Sequence, residues 1–231
     1  MMLIDKEELE TQADFIVGRL QGYVDAGNKV FASCSFQTQS LPLLHMISRT
    51  GRDIPVYYTN TGFLFPETIA FADQLTEQLG LRVIGLYPDT AKLRQMDSQG
   101  RFLYTSDPDH CCHLNKVLPL QPLLIENDIW VNGIRADQSV VRAQMAEEEM
   151  APHGCLRYHP MLAWNAPMIY YYRKQYGLPE HPLEVQGYRS IGCEPCTRKL
   201  FDQDLERNSR WSGLNKTECG LNTTLVGNNS I

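Results

Sequence analysis

Three short runs rich in β-formers, Val30-Phe31-Ala32, Val56-Tyr57-Tyr58-Thr59 and Arg82 to Tyr87, are separated from one another by segments that read as helices. This alternation constrains the fold most. Strands joined through a helix pair in parallel, and the helices must cover both faces of the sheet. The first helix is expected over 6–26, where Leu9, Phe15, Ile16, Leu20, Tyr23 and Val24 recur at helical spacing. A second is expected over 41–48, with Pro42 in its first turn, and a third from Pro66 to about Leu79, stopped by Gly80. The expected class is therefore α/β, a parallel sheet flanked by helices. Ligands of such sheets sit at the carboxyl ends of the strands. The polar turns 33–40 and 59–63 both fall there.

Beyond residue 90 the pattern continues. A helix is expected over 112–125, a fourth strand over Ile129 to Gly133, and a polar loop from Arg135 to Arg142. Glu147-Glu148-Glu149 reads as a solvated face, and 165–176 as a tyrosine-rich helix. From Gly187 on, regular structure thins out, and the last ten residues read as a flexible tail. Residues 1–200 are read as one α/β nucleotide-binding domain and 201–231 as a mobile C-terminal segment. At 231 residues the chain buries enough surface to fold without staples. A formal net charge of −6 disfavours a nucleic-acid binder. No apolar run approaches a membrane span, and the acidic start MMLIDKEELETQADFI is unlike a secretory signal, so a cytoplasmic location is expected.

The seven cysteines then point to metal binding or catalysis before disulfides. Cys111-Cys112 and Cys193-Glu194-Pro195-Cys196 are the strongest chemical signal. Adjacent thiolates diverge, which suits the separate corners of a [4Fe–4S] cluster. A four-thiolate zinc site, or a redox Cys-x-x-Cys beside two unrelated thiols, fits the spacing as well. Cys34 and Cys155 have no partner in sequence. Cys219, between Gly213 and Gly220 in a polar segment, suits an exposed nucleophile.

A thiolate that attacks an anion needs the anion neutralised, and arginine is the preferred clamp. Arg207 and Arg210 lie between the second cysteine pair and Cys219, and Arg135 and Arg142 follow the fourth strand. The turn 33–40, with Ser33, Ser35, Phe36, Gln37, Thr38, Gln39 and Ser40, leads from a strand into a helix, where free backbone N–H groups can hold phosphate or sulfate. It lacks the glycines and lysine of a P-loop nucleoside triphosphatase.

Taken together, these residues resemble the assimilatory sulfonucleotide reductases, from about residue 30 to residue 221. Ser33 to Ser40 is similar to their modified PP-loop. Asn60-Thr61-Gly62-Phe63-Leu64-Phe65-Pro66-Glu67-Thr68, Gly133-Ile134-Arg135 through Gln138-Ser139 to Arg142, Gly187-Tyr188-Arg189-Ser190-Ile191-Gly192-Cys193-Glu194-Pro195-Cys196-Thr197, and Glu218-Cys219-Gly220-Leu221 each resemble a family motif.

The resemblance implies a PP-loop fold of the adenine nucleotide alpha hydrolase type. It also implies a [4Fe–4S] cluster on Cys111, Cys112, Cys193 and Cys196. Members with these four cysteines favour adenosine 5'-phosphosulfate (APS); the 3'-phosphorylated nucleotide (PAPS) is the alternative. In the implied reaction Cys219 attacks the sulfur of APS, AMP leaves, and thioredoxin or a glutaredoxin releases sulfite from the S-sulfocysteine. Lys116, Arg207 and Arg210 would neutralise the sulfate and phosphate, while the turn 33–40 and Arg135 would hold the nucleotide. The sequence leaves a homo-oligomer open. Three positions depart from the family pattern: Asn222 replaces a histidine, Asn115 an arginine common before Lys116, and Asn60 an aspartate. The rival readings are an ATP-adenylating PP-loop enzyme and a non-catalytic iron–sulfur nucleotide-binding module.

Overall fold

The computed structural model describes residues 5–200, 209–214 and 216–225. Its elements run α1 (Lys6–Asp25), β1 (Val30–Ser33), α2 (Leu41–Arg49), β2 (Val56–Thr59), α3 (Pro66–Leu79), β3 (Val83–Leu86), α4 (Leu103–Ser106), α5 (Pro108–Cys112), α6 (Leu118–Glu126), β4 (Ile129–Asn132), α7 (Val140–Ala143), β5 (Glu148–Met150), β6 (Leu156–Tyr158) and α8 (Ala166–Gln175). The sheet has six strands in the order β3-β2-β1-β4-β6-β5. Every pairing is parallel except that of β5 with β6. The α/β class and the parallel sheet expected from the alternation are what the chain adopts.

Local chemistry explains the ends of the helices. Asp5 accepts from the N–H groups of Glu7 and Glu8 at the start of α1, and those two glutamates complement the positive end of the helix. Pro66 opens α3, and Gly80, at φ 60°, closes it in the left-handed conformation. The apolar stripe of α1, Leu9, Ala13, Ile16, Val17 and Leu20, packs into one core with Val30, Ala32 and Val56 from the sheet and Leu44 and Ile47 from α2. A second core forms around Phe31, Trp130, Val117, Leu120 and Leu124, and Leu225 is buried within it.

Three expectations need correction. Glu147-Glu148-Glu149 is not simply a solvated face. Glu148 begins the edge strand β5, and its carboxylate takes Arg19 and Tyr23 of α1. Such a strand has no intrinsic propensity and is held by pairing with β6. The loop 135–142 contains the short helix α7, capped by the Ser139 hydroxyl. The helix expected over 112–125 begins at Pro108 and passes through a π-helical turn, His113–Val117, before α6. That turn carries Asn115 and Lys116, and such turns concentrate at functional sites.

Two fully buried histidines make the fold acid-sensitive. Burial pushes His159 down to about 3 and His181 down to about 4, from an ordinary 6.5. Below pH 6.5 the unfolded chain takes up protons that the native one refuses, so stability falls as pH drops toward those values. Each histidine is expected to cost about 1.4 kcal/mol per pH unit across that window. Urea midpoints at pH 7 and pH 5 measure this, and His159→Gln should flatten the slope.

Candidate active site

A cleft open to solvent lies at the carboxyl ends of β1, β2 and β4. Ser33, Ser35, Phe36, Gln37, Gln39 and Ser40 line it from the first polar turn, and Lys116, Arg210 and Cys219 line it from later in the chain. The turn is held by its own side chains. Ser33 Oγ accepts from the Trp130 indole at 2.7 Å, and Gln37 Oε1 accepts from Ile191 N–H at 2.9 Å. Phe36 adopts φ 54°, and its side chain is fully buried, edge-on to the Tyr58 ring. The short helical turn Thr38–Ser40 then runs into α2, where the N–H groups of Ser40 and Leu41 bond back to the carbonyls of Gln37 and Thr38 and Pro42 has none to offer.

Thr38 and Arg135 do not line this cleft. The Thr38 hydroxyl is buried and accepts from His181 N–H at 2.9 Å, so it anchors the loop before Gly187. Arg135 is 1% exposed, and its guanidinium is taken by Asp137 and by Gln39 Oε1 at 2.7 Å. It braces the turn from behind. Arg142 lines the cleft instead. Arg207 lies outside the described residues, as does the end of the expected tail.

Cys219 is not the freely exposed thiol that its segment suggests. Its Sγ lies 3.9 Å from Lys116 Nζ, and the flanking chain is pinned on both sides. Before it, the Glu218 carboxylate accepts from Arg142 Nε at 3.0 Å and Nη2 at 2.9 Å, from the Ser139 hydroxyl at 2.9 Å and from Cys219 N–H at 2.8 Å. After it, Arg157 donates to Asn222 Oδ1 at 2.6 Å and to the carbonyl of Leu221 at 3.2 Å. Arg157 is buried and stacks 4.2 Å over the Trp130 ring. Burial alone would raise the Cys219 thiol; the Lys116 ammonium, a hydrogen bond from Leu221 N–H and the Arg210 guanidinium outweigh it and hold the thiol below its ordinary value. Burial likewise works against charged Lys116, but Cys193, Cys219 and Cys112 overcome it and keep the lysine protonated.

A second, smaller pocket is lined by Cys111, Cys112, Cys193 and Cys196. Lys116, Cys193, Arg210 and Trp211 line both cavities and form the wall between them. Gly192 makes the wall compact, since a Cβ there would meet Arg210 Nη2 at 2.2 Å. Burial and the neighbouring thiols push Cys111 up to about 12 and Cys196 up to about 11. Asn115 Nδ2 lies 3.5 Å from Cys111 Sγ, and its amide pairs reciprocally with Gln95 at 2.6 and 3.0 Å. Thr61 Oγ1 lies 3.3 Å from Cys193 Sγ. Among the described residues no group of three or more His, Cys, Asp or Glu is arranged to hold a single metal ion. The four cysteines share the lining of one pocket.

Sequence reading missed Arg157, Trp130, Asn132 and Trp211 as lining residues of the cleft. Asn132 was detectable as the last residue of a strand whose carboxyl end faces the ligand side. Arg157 was not, because β6 is too short for periodicity to reveal.

The profile of the phosphoadenosine phosphosulfate reductase domain matches residues 29–199. The chain is 35% identical over 205 residues to the adenosine 5'-phosphosulfate reductase of Bacillus pumilus, covering 86% of each protein. It is 34% identical over 201 residues to the phosphoadenosine 5'-phosphosulfate reductase of Gloeobacter violaceus, covering 84% of this chain and 83% of that one. In three dimensions it is similar to the phosphoadenylyl-sulfate reductase of Candida auris crystallised with phosphate, at a TM-score of 0.66 and 20% identity, covering 84% of this chain and 97% of the other.

Proposed function

The chain belongs to the phosphoadenosine phosphosulfate reductase family, and we propose that it reduces APS to sulfite and AMP through an S-sulfocysteine on Cys219. The observation that carries this reading is the position of Cys219. It lies in the same cleft as the turn 33–40, 3.9 Å from Lys116, on a segment pinned by Arg142 and Arg157.

The turn 33–40 receives the nucleotide phosphate on backbone N–H groups. Lys116 and Arg210 face the sulfate, offset its charge and stabilise the charge that develops on the departing phosphate. Arg207 is proposed to join them. The Cys219 thiolate attacks the sulfate sulfur, the bond from that sulfur to the bridging oxygen breaks, and AMP leaves with the electron pair. A thiolate of reduced thioredoxin or a glutaredoxin then attacks the Cys219 sulfur and sulfite departs, leaving a mixed disulfide; the partner's second thiol attacks its own sulfur in that bond, closes the partner's disulfide and releases the Cys219 thiolate. The two electrons come from that dithiol.

The four thiols of the smaller cavity fit a [4Fe–4S] cluster, which has four separate iron corners, better than a tetrahedral ion. Cys111, Cys112, Cys193 and Cys196 would hold it. When bound, it supplies a fixed charge beside the wall that carries Lys116. No helix among the described residues is long and apolar enough to cross a membrane; a cytoplasmic location is part of this proposal, and so is the division into a domain over 1–200 and a segment over 201–231.

Sulfite release from APS and from PAPS with reduced thioredoxin, on anaerobically purified protein, tests the reading. The expected result is turnover with APS preferred, and a brown chromophore that Cys193→Ser removes. No sulfite from either nucleotide, or pyrophosphate release from ATP, would overturn it.

A further inference from the structure

Asn132 ends β4, in register with Ser33 of β1, and lines the cleft. Its side chain is 5% exposed, yet neither Nδ2 nor Oδ1 has a hydrogen-bond partner. Apart from Arg157 Nε, which is likewise unmet, the polar groups that share the cleft lining are committed elsewhere. The Trp130 indole donates to Ser33, Arg157 is taken by Asn222 and the Leu221 carbonyl, and Arg142 is taken by Glu218. A buried carboxamide with both groups unmet destabilises the protein that carries it, and such groups are rare in native cores. An apolar residue would serve the core better unless the amide meets something that enters the cleft.

The chemistry of the amide narrows what that is. A carboxamide offers one donor and one acceptor side by side. A phosphate or sulfate presents acceptors only, so it would engage Nδ2 and set its charge against Oδ1. A ribose hydroxyl pair, or the edge of a purine, presents both kinds of group at once. We propose that Asn132 is a specificity-determining residue of the cleft, whose amide reads the uncharged nucleoside part of the bound nucleotide by a paired donor and acceptor contact. The assignment rests on the nucleotide reading of the cleft.

Calorimetric titration of the iron-loaded protein with AMP, adenosine and inorganic sulfate tests it, on the parent chain, Asn132→Leu and Asn132→Asp. Both variants are expected to bind AMP and adenosine about 10- to 100-fold more weakly, the equivalent of two lost neutral hydrogen bonds. Sulfate affinity should stay unchanged in Asn132→Leu. The ligand-free melting temperature of that variant should equal or exceed the parent's, because an unmet buried amide has been removed. A merely structural amide would move it the other way. Inosine 5'-monophosphate, 2'-deoxy-AMP and 3'-deoxy-AMP then locate the contact: the analogue that binds the parent weakly but is no further weakened by Asn132→Leu lacks the group that Asn132 reads. AMP and adenosine affinities within about twofold of the parent's would overturn the proposal, as would equal losses for AMP and sulfate with a lowered melting temperature. A parent chain that binds sulfate but not AMP would refute the nucleotide reading itself, and the assignment of Asn132 with it.

Discussion

The Cys219→Ser variant is expected to release no sulfite while still binding AMP. In the proposed reaction the sulfur of Cys219 has two tasks. It must be nucleophilic at neutral pH, and it must then leave a sulfur–sulfur bond that a partner thiolate can attack. A serine hydroxyl fails both. It stays protonated beside Lys116 where the thiol is driven toward the thiolate, and an O-sulfo serine offers no sulfur for thiol exchange. Loss of a covalent nucleophile lowers turnover by at least about 1000-fold. The proposed nucleotide contacts, by contrast, come from the turn 33–40 and from β4, which the change leaves alone. Retained turnover in Cys219→Ser would remove the covalent intermediate from the account, and lost AMP binding would mean that the substitution disturbed the cleft as a whole.

The second large effect is expected at Arg142. Its guanidinium and the Glu218 carboxylate form an ion pair in which the arginine side chain is 10% exposed and the glutamate 1%. Removing one partner of such a pair strands the other charge in the interior and costs about 3–5 kcal/mol, more than the pair itself is worth. The chain has a cheaper response than global unfolding. Residues 216–225 can leave the cleft and carry Glu218 into water. Arg142→Met should therefore expose Cys219, and alkylation of that cysteine, mapped by peptide mass, should quicken by about 100- to 1000-fold. The double variant Arg142→Met, Glu218→Leu replaces both charges with apolar groups and should restore slow alkylation. An unchanged alkylation rate in the single variant would show that Arg157 and the burial of Leu225 hold the segment without the ion pair.

The parts of this fold that were legible in the sequence are those specified locally. The alternation of β1, α2, β2, α3 and β3 follows from apolar spacing and from stop signals such as Gly80, and the ligand side follows from where the polar turns fall. The illegible parts depend on contacts between distant residues. β5 and β6 are three residues each, and Glu148 takes up strand geometry through its partner strand and α1. The π-helical turn at His113–Val117 has no sequence mark, yet it sets where Asn115 and Lys116 point. Spacing alone left cluster, zinc and unrelated thiols open, because only the fold brings Cys111 and Cys112 against the loop of Cys193 and Cys196. Asn222, read from the sequence as a lost imidazole, is a brace between Arg157 and Glu218. That role needs a neutral donor and acceptor and no titration.

The central claim is that Cys219 carries the sulfur between two half-reactions. Its most direct test is intact and peptide mass measurement after the anaerobic protein meets APS with no thiol reductant present. The account predicts one equivalent of AMP released and one SO3 group added, mapped to Cys219 and removed as sulfite by reduced thioredoxin. AMP release without an adduct, or an adduct on any other cysteine, would contradict it.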